Sequence, residues 1–351
     1  MTSLNLDKRA EGFSMPAEWE PHQATWLSWP HNLETWPGSP LLEIQKVWVE
    51  IVYYLHTGEE VHINVENDLM EEEARSLLQE RRVDFSNVFF HHFPTNDTWI
   101  RDHGPIFIMG EKKGKNQLAL LDWNYNAWGD KYPPYDLDNA IPEQIAAYLK
   151  MERISLGWVL EGGSIEVNGS GTLLTTESCL LNPNRNPQLN RSEIEELLRH
   201  YLGVKKILWL GDGIVGDDTD GHIDDLARFV ASDTVVTVVE EDFNDENYQA
   251  LQENFQRLTE MSDEKGTPLK IIQLPMPAPI ESDTGRLPAS YANFYIANDV
   301  VLVPTFEDPK DGQALDKIKR LFPTRRTVGI NCRQVVKGLG AFHCVTQQQP
   351  K

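Results

Sequence analysis

Five times along this chain, a short apolar run leads through a polar or acidic loop into a segment with helical spacing. The runs are His62-Ile63-Asn64-Val65, Leu118 to Trp123, Thr172 to Thr176, Val235 to Val239 and Val300 to Pro304. The helical segments that follow them are 70–80, 142–151, 191–202, 248–258 and 313–322. The runs begin near residues 62, 118, 171, 233 and 299, so successive offsets are 56, 53, 62 and 66. Runs rich in Val, Ile and Leu, bounded by Pro, Gly, Asn and Asp, read as buried strands. A strand–loop–helix theme at a nearly constant period predicts a repeat architecture of α/β class. A two-layer α/β domain also alternates strands and helices. Short second strands at 106–108, 165–167 and 294–296 are surplus to a simple alternation and favour a radial array of small sheets. No Pro/Gly/Ser-rich linker divides the chain, so residues 13–351 are expected to form one domain behind a flexible segment, 1–12.

The balance of 32 basic against 54 acidic residues, a net charge of −22, argues against nucleic acid as a partner, because phosphate binding needs a clustered basic surface. A field of this sign draws cations toward any cleft, although an acidic surface also serves solubility alone. No stretch approaches the length of a membrane span. Residues 1–14 lack the apolar core of a signal peptide. Three cysteines, at 179, 332 and 344, argue against a disulfide framework, and a cytoplasmic location is expected. The oligomeric state is not encoded in any motif; a homodimer is the working expectation.

Polar clusters sit between the strands: Asn96 to Pro105, Leu160 to Ser164, and Gly216 to Asp225. Asp102, Glu161 and His222 are 59 and 61 residues apart, and Cys344 lies 122 beyond His222, about two more steps. One polar residue per repeat is what convergence on a central axis requires. Each cluster also has an ordinary use: Asp97 or Asp102 as turn caps, Gly162-Gly163 as a tight bend, and Asp217 to Asp225 as an acidic loop. The aspartates of that loop do not keep the alternate ligand positions of an EF-hand. His222, Cys344 and the carboxylates have no tight zinc-ligand spacing, so no metal is expected. Cys344 is seven residues from the carboxyl end, in a tail carrying Phe342 and Val345, which does not read as a solvated terminus. On the tail alone it could equally be a small buried apolar residue.

A cysteine with a histidine permits nucleophilic catalysis when the thiol is held as thiolate and the imidazole handles protons. Carboxylates gathered around such a pair imply a cationic substrate, because aspartates match a guanidinium through bidentate, charge-assisted hydrogen bonds. The consistent chemistry is attack of Cys344 on the central carbon of a guanidinium. Asp102 and Asp224 would grip its nitrogens, and His222 would protonate departing ammonia and then activate water. Glu161 would orient His222 and favour its charged form.

The segments Met15 to His22, Trp26-Leu27-Ser28-Trp29-Pro30, Asn96 to Asp102, Glu161-Gly162-Gly163, Gly221 to Asp224 and His343 to Pro350 together resemble agmatine deiminase. That family is grouped with the Porphyromonas-type peptidylarginine deiminases. The resemblance runs from about residue 13 to the C-terminus. It implies a guanidino-modifying five-bladed α/β-propeller (pentein) with fivefold pseudosymmetry. It implies Cys344 as nucleophile, His222 as acid/base, Asp102 and Asp224 as guanidinium clamps and Glu161 as the carboxylate supporting the histidine. Trp99 matches an aromatic beside the substrate's methylene chain, with packing as its alternative use. Trp128, in Asn124 to Gly129, and Gly340 are further candidates for the pocket wall. The family commonly shows a run of glycines and then Asn-Ile before His-Cys, whereas this chain has Leu339 and Phe342 there. The implied reaction is hydrolysis of agmatine to N-carbamoylputrescine and ammonia through a Cys-thiouronium intermediate, without cofactor. The nearest rival, deimination of free or peptidyl arginine, needs a partner for a carboxylate, for which Arg101, Arg185, Arg286 and Arg333 are candidates. A non-catalytic propeller that binds a partner would have no use for the thiol, imidazole and carboxylates.

Overall fold

The computed structural model describes residue 4 and residues 6–112, 114–283 and 285–351. They form a mixed α/β fold whose strands assemble into five sheets of three or four strands and one two-stranded ribbon. Four of the five sheets follow one plan. A central strand pairs antiparallel with a neighbour that precedes it and parallel with one that follows. Thr172–Thr176 lies between Glu166–Val167 and Lys206–Leu210. Thr234–Val239 lies between Ala227–Ala231 and Lys270–Pro275. Val300–Thr305 lies between Tyr295–Ile296 and Arg326–Asn331. Lys115–Asn124 lies between Ile106–Lys112 and Glu152–Val159, with Phe13–Ser14 added at the edge. Parallel pairing demands a long crossover, and the predicted helices supply it: Ile141–Leu149, Arg191–Leu202, Tyr248–Thr259 and Asp311–Leu321. Arg191–Leu202 begins at a capping box between Asn190 and Glu193.

The remaining sheet corrects the reading of the first copy. His62 to Val65 lies in the strand Glu60–Val65, which is not the central strand of its sheet. The equivalent position belongs to His22–Ser28, which pairs parallel with Glu60–Val65 and antiparallel with Gln347–Pro350. Glu60–Val65 then pairs parallel with Val88–His92 across the predicted helix, here Asp68–Glu80. This sheet thus carries one additional strand–helix step, and it owes its antiparallel strand to the end of the chain.

The tail is fixed by the amides of its glutamines. Trp26 Nε1 donates to Gln349 Oε1 (2.9 Å), Arg101 to Gln348 Oε1 (2.7 Å), and Gln347 Nε2 to the Pro105 carbonyl (2.7 Å). Of residues 1–12, expected to be flexible, 1–3 and 5 lie outside the described residues. The described part is docked: Ala10 is buried, and the Asp7 amide donates to the Tyr201 hydroxyl at 3.0 Å. Burial of one apolar side chain and a long-range hydrogen bond are enough to order so short a segment. Among the described residues, no helix is long and apolar enough to cross a membrane.

Candidate active site

The functional side chains come from the short segments that lead into the antiparallel strand of each sheet. Asp102 precedes the strand at 106, Glu161 that at 166, His222 and Asp224 that at 227, and Cys344 that at 347. The remaining sheet, whose antiparallel strand begins at Tyr295, contributes Asn293. Asn293 Nδ2 donates to Cys344 Sγ (3.1 Å), and its Oδ1 accepts from the His343 amide (2.9 Å). Asn293 fills the double step between His222 and Cys344. Spacing alone points to that stretch, but a lone asparagine beside Tyr and Phe carries no motif.

Cys344 is only 5% exposed, and its thiol lies 3.6 Å from Asp224 Oδ2. Burial, followed by the charges of Asp224, Asp225 and Asp102, pushes its pKa well above that of an ordinary thiol. Asp224 Oδ2 also accepts from His343 Nδ1 at 2.7 Å, while its Oδ1 has no hydrogen-bond partner among the described residues. Burial opposes ionisation of Asp224. The His343 hydrogen bond and the charges of His343, His222 and Arg228 outweigh that and lower its pKa. Asp102 accepts from the Gly163 amide (2.8 Å) and from Trp128 Nε1 (3.0 Å). Its carboxyl is pushed up to about 6, mainly by burial, with His222 opposing and Asp224 and Glu161 reinforcing the rise.

His222 is fully buried, and neither ring nitrogen has a hydrogen-bond partner among the described residues. Its Nδ1 is 3.7 Å from Asp102 Oδ1. Burial disfavours the imidazolium, but Asp102, Cys179 and Glu161 together overcome it and raise the pKa well above the usual value. A Cβ on Gly163 would lie 2.6 Å from His222 Nδ1, 2.8 Å from Asp102 Oδ1 and 3.0 Å from Asp224 Oδ2. Glycine here is a packing requirement: three charged groups converge on the volume a methyl would fill.

Glu161 stands differently from the expected orienting hydrogen bond. Its Oε1 accepts from Arg185 Nε at 2.6 Å, and Oε2 is unpartnered among the described residues. Glu161 therefore reaches His222 through its field, because Arg185 holds one of its oxygens. Arg185 also binds the Trp128 carbonyl (3.1 Å) and the Thr219 carbonyl (2.8 Å), so one guanidinium ties three loops of the site together. Behind them lies Cys179. Ligand atoms of Glu161, Cys179 and His222 all lie within 4.8 Å of one another.

Trp99 packs edge-on over Gly340, where any Cβ would collide with its six-membered ring, and against Trp36 at 5.9 Å. Trp128 sits in a run, Ala127 to Asp130, with φ of 48°, 57°, 94° and 61°, a backbone that three of its four residues adopt only under strain. Leu339 has φ 68°, the left-handed region that glycine adopts freely and leucine only at a cost. Phe342 is fully buried. On the far side of Asp224, His343 Nε2 bonds Glu18 Oε2 (2.8 Å), and Glu18 also pairs with Arg228 (2.9 Å) and Arg101 (3.3 Å).

Residues 14–350 match the model of the Porphyromonas-type peptidyl-arginine deiminase family. The chain belongs to that family. Among its relatives, the agmatine deiminase of Ectopseudomonas mendocina is 37% identical, the match covering 100% of this chain and 99% of the relative. The solved agmatine deiminase of Enterococcus faecalis superposes with a TM-score of 0.91 at 34% identity, covering 99% of both chains. That of C. jejuni with substrate bound gives 0.86 at 33% identity, covering 97% of this chain and 96% of the other. The family assignment makes this chain an amidine-hydrolysing enzyme.

Proposed function

We propose that this enzyme hydrolyses agmatine to N-carbamoylputrescine and ammonia, in a single five-bladed α/β-propeller domain spanning residues 13–351. Four sheets of one plan, and a fifth that repeats it with one more parallel strand and is closed by the C-terminal strand, support the propeller reading. The observation that carries the chemistry is the surroundings of Cys344: a buried thiol at 3.6 Å from a carboxylate, with His222 lacking a hydrogen-bond partner among the described residues and 3.7 Å from a second carboxylate. Anionic neighbours disfavour a thiolate until a cation joins them. A guanidinium seated between Asp102 and Asp224 supplies that charge, so substrate binding itself promotes ionisation of Cys344.

The thiolate attacks the central guanidinium carbon to give a tetrahedral adduct. His222 then passes its proton to one nitrogen, the C–N bond breaks and ammonia leaves, giving a Cys344 thiouronium. Neutral His222 takes a proton from water as the water oxygen bonds the same carbon. Collapse breaks the C–S bond, releases the ureido product and returns the thiol. The reaction consumes only water. Asp102 and Asp224 hold the carbon in line for both attacks, and Trp99, Gly340 and Trp128 are the proposed wall for the methylene chain.

The four arginines that could have received a substrate carboxylate are otherwise committed. Arg101 binds Gln348 and Glu18, Arg185 binds Glu161 and Arg286 pairs with Asp245 at 2.8 Å. Arg333 lies outside with Glu307. This supports agmatine over arginine. Incubation with agmatine, arginine and an arginine peptide, reading ureido product and ammonia, tests the proposal. Turnover of agmatine alone is expected. No turnover of any of the three with Cys344 reduced contradicts the reading.

A further inference from the structure

Cys179 takes no part in the proposed hydrolysis, yet it is fully buried beside the acid/base histidine. It lies in the short helix Glu177–Leu180, where its amide donates to Oγ1 of the N-cap Thr176 (3.3 Å), and that hydroxyl in turn donates to the Gly221 carbonyl (2.5 Å). One hydroxyl thus fastens the cysteine's turn to the residue preceding His222. Two further observations point to a ligand. Glu161 Oε2 and both His222 nitrogens are buried without hydrogen-bond partners among the described residues. One ligand atom from each of Glu161, His222 and Cys179 lies within 4.8 Å of the other two.

We propose that Cys179, His222 and Glu161 form an inhibitory site for a soft divalent cation of the zinc class, distinct from the nucleophile Cys344. The donor set of one thiolate, one imidazole and one carboxylate suits zinc, with a fourth position left for water. Tetrahedral zinc with bonds of about 2.0–2.3 Å needs its ligand atoms about 3.5 Å apart. Atoms within 4.8 Å of one another therefore close by at most about 1.3 Å. Arg185 holds Glu161 by its other oxygen, leaving Oε2 free to turn toward the ion. On binding, the Cys179 thiol and the imidazolium each release a proton to solvent, and no electron moves. The thiolate and the carboxylate then balance the charge of the ion.

The inhibition rests on His222 serving as acid/base: a metallated imidazole neither protonates ammonia nor activates water. Cation binding itself is independent of that reading and of the substrate, so the two are measured separately. Binding is followed with cobalt(II) on the full chain, by the thiolate-to-cobalt charge-transfer band, and with zinc by calorimetry. The native protein and Cys344→Ala are expected to bind one ion with the band present. Cys179→Ala should lose the band and bind zinc at least about tenfold more weakly, the smallest loss common even for outer-shell changes. Cys179→Ser, closer in size, provides a second variant, and near-ultraviolet circular dichroism shows that each is folded. Zinc inhibition of the native enzyme should be reversed by a chelator. Loss of the band in Cys344→Ala with retention in Cys179→Ala overturns the proposal, as does absence of stoichiometric binding to the folded native protein. Binding without inhibition leaves the metal site standing and refutes the role of His222.

Discussion

Replacing Gly163 by alanine adds one methyl where the catalytic groups converge. The new Cβ would lie 2.6 Å from His222 Nδ1 and 2.8 Å from Asp102 Oδ1. Ordinary carbon contacts need about 3.5 Å, so His222 must retreat by about 0.9 Å or Asp102 must swing away. Misplacement of a reacting group by about 1 Å costs on the order of 100-fold in rate, which is about 2.7 kcal/mol in transition-state free energy. Gly163 does not have a positive φ, so alanine meets no backbone strain there. The loss should therefore fall on catalysis. The expected outcome is a kcat/KM for agmatine reduced about 100-fold, with a thermal midpoint within a few degrees of native. Gly162→Ala provides the contrast, because its Cβ meets the Arg101 backbone carbonyl and should lower stability. A Gly163→Ala enzyme within threefold of native activity would refute the convergence of His222, Asp102 and Asp224 on that point.

Three further expectations follow from charge. Asp102 must be ionised to hold a guanidinium, and its carboxyl titrates near 6; KM for agmatine should thus rise about tenfold per pH unit below that value, and a flat KM between pH 7 and pH 5 would contradict it. Glu18→Gln leaves Arg101 buried with a neutral partner and takes from Arg228 one of its two carboxylates, the other being Glu166, so chemical denaturation should show a loss of about 3 kcal/mol, the low end for breaking a buried pair because one oxygen remains; an unchanged midpoint would show that the network is dispensable. His103 is buried, which holds its pKa down to about 3. The fold favours its neutral form, so stability is retained above about pH 6.5 and falls as pH drops toward 3, by about 2 kcal/mol at pH 5. His103→Gln should remove that part of the pH dependence, read from urea midpoints.

The helices at 191–202, 248–258 and 313–322 were legible because each buries one face and so writes a period into the sequence. The first copy was misread for a physical reason. His22–Ser28 mixes His, Gln, Thr and Trp, and its buried His22, Thr25 and Trp26 find their side-chain partners in Glu59 and Gln349. No apolar run announces such a strand. The helix Leu41–Leu55, the crossover from His22–Ser28 to Glu60–Val65, is likewise absent from the expected helices. Cys344, His222, Asp102, Asp224 and Glu161 could be picked out because cationic-substrate chemistry needs that set together. Asn293, Cys179 and Glu18 could not, and Arg185 stood out only as a candidate for a substrate carboxylate, where its partner is Glu161. Each is one polar residue whose meaning lies in a partner far along the chain, as Asn293 lies 51 residues from Cys344. Leu339 is the converse case, a departure visible in sequence whose left-handed backbone only the structure discloses.

Covalent capture is the most direct test of Cys344 as the nucleophile. The enzyme is mixed with agmatine, quenched in acid within a turnover, digested, and analysed by mass spectrometry. The account predicts that the C-terminal peptide carrying Cys344 gains the mass of agmatine less ammonia, and that the adduct disappears as the ureido product forms. Product released in full while that peptide remains unmodified throughout the turnover, or an adduct on Cys179 or Cys332 instead, would contradict it.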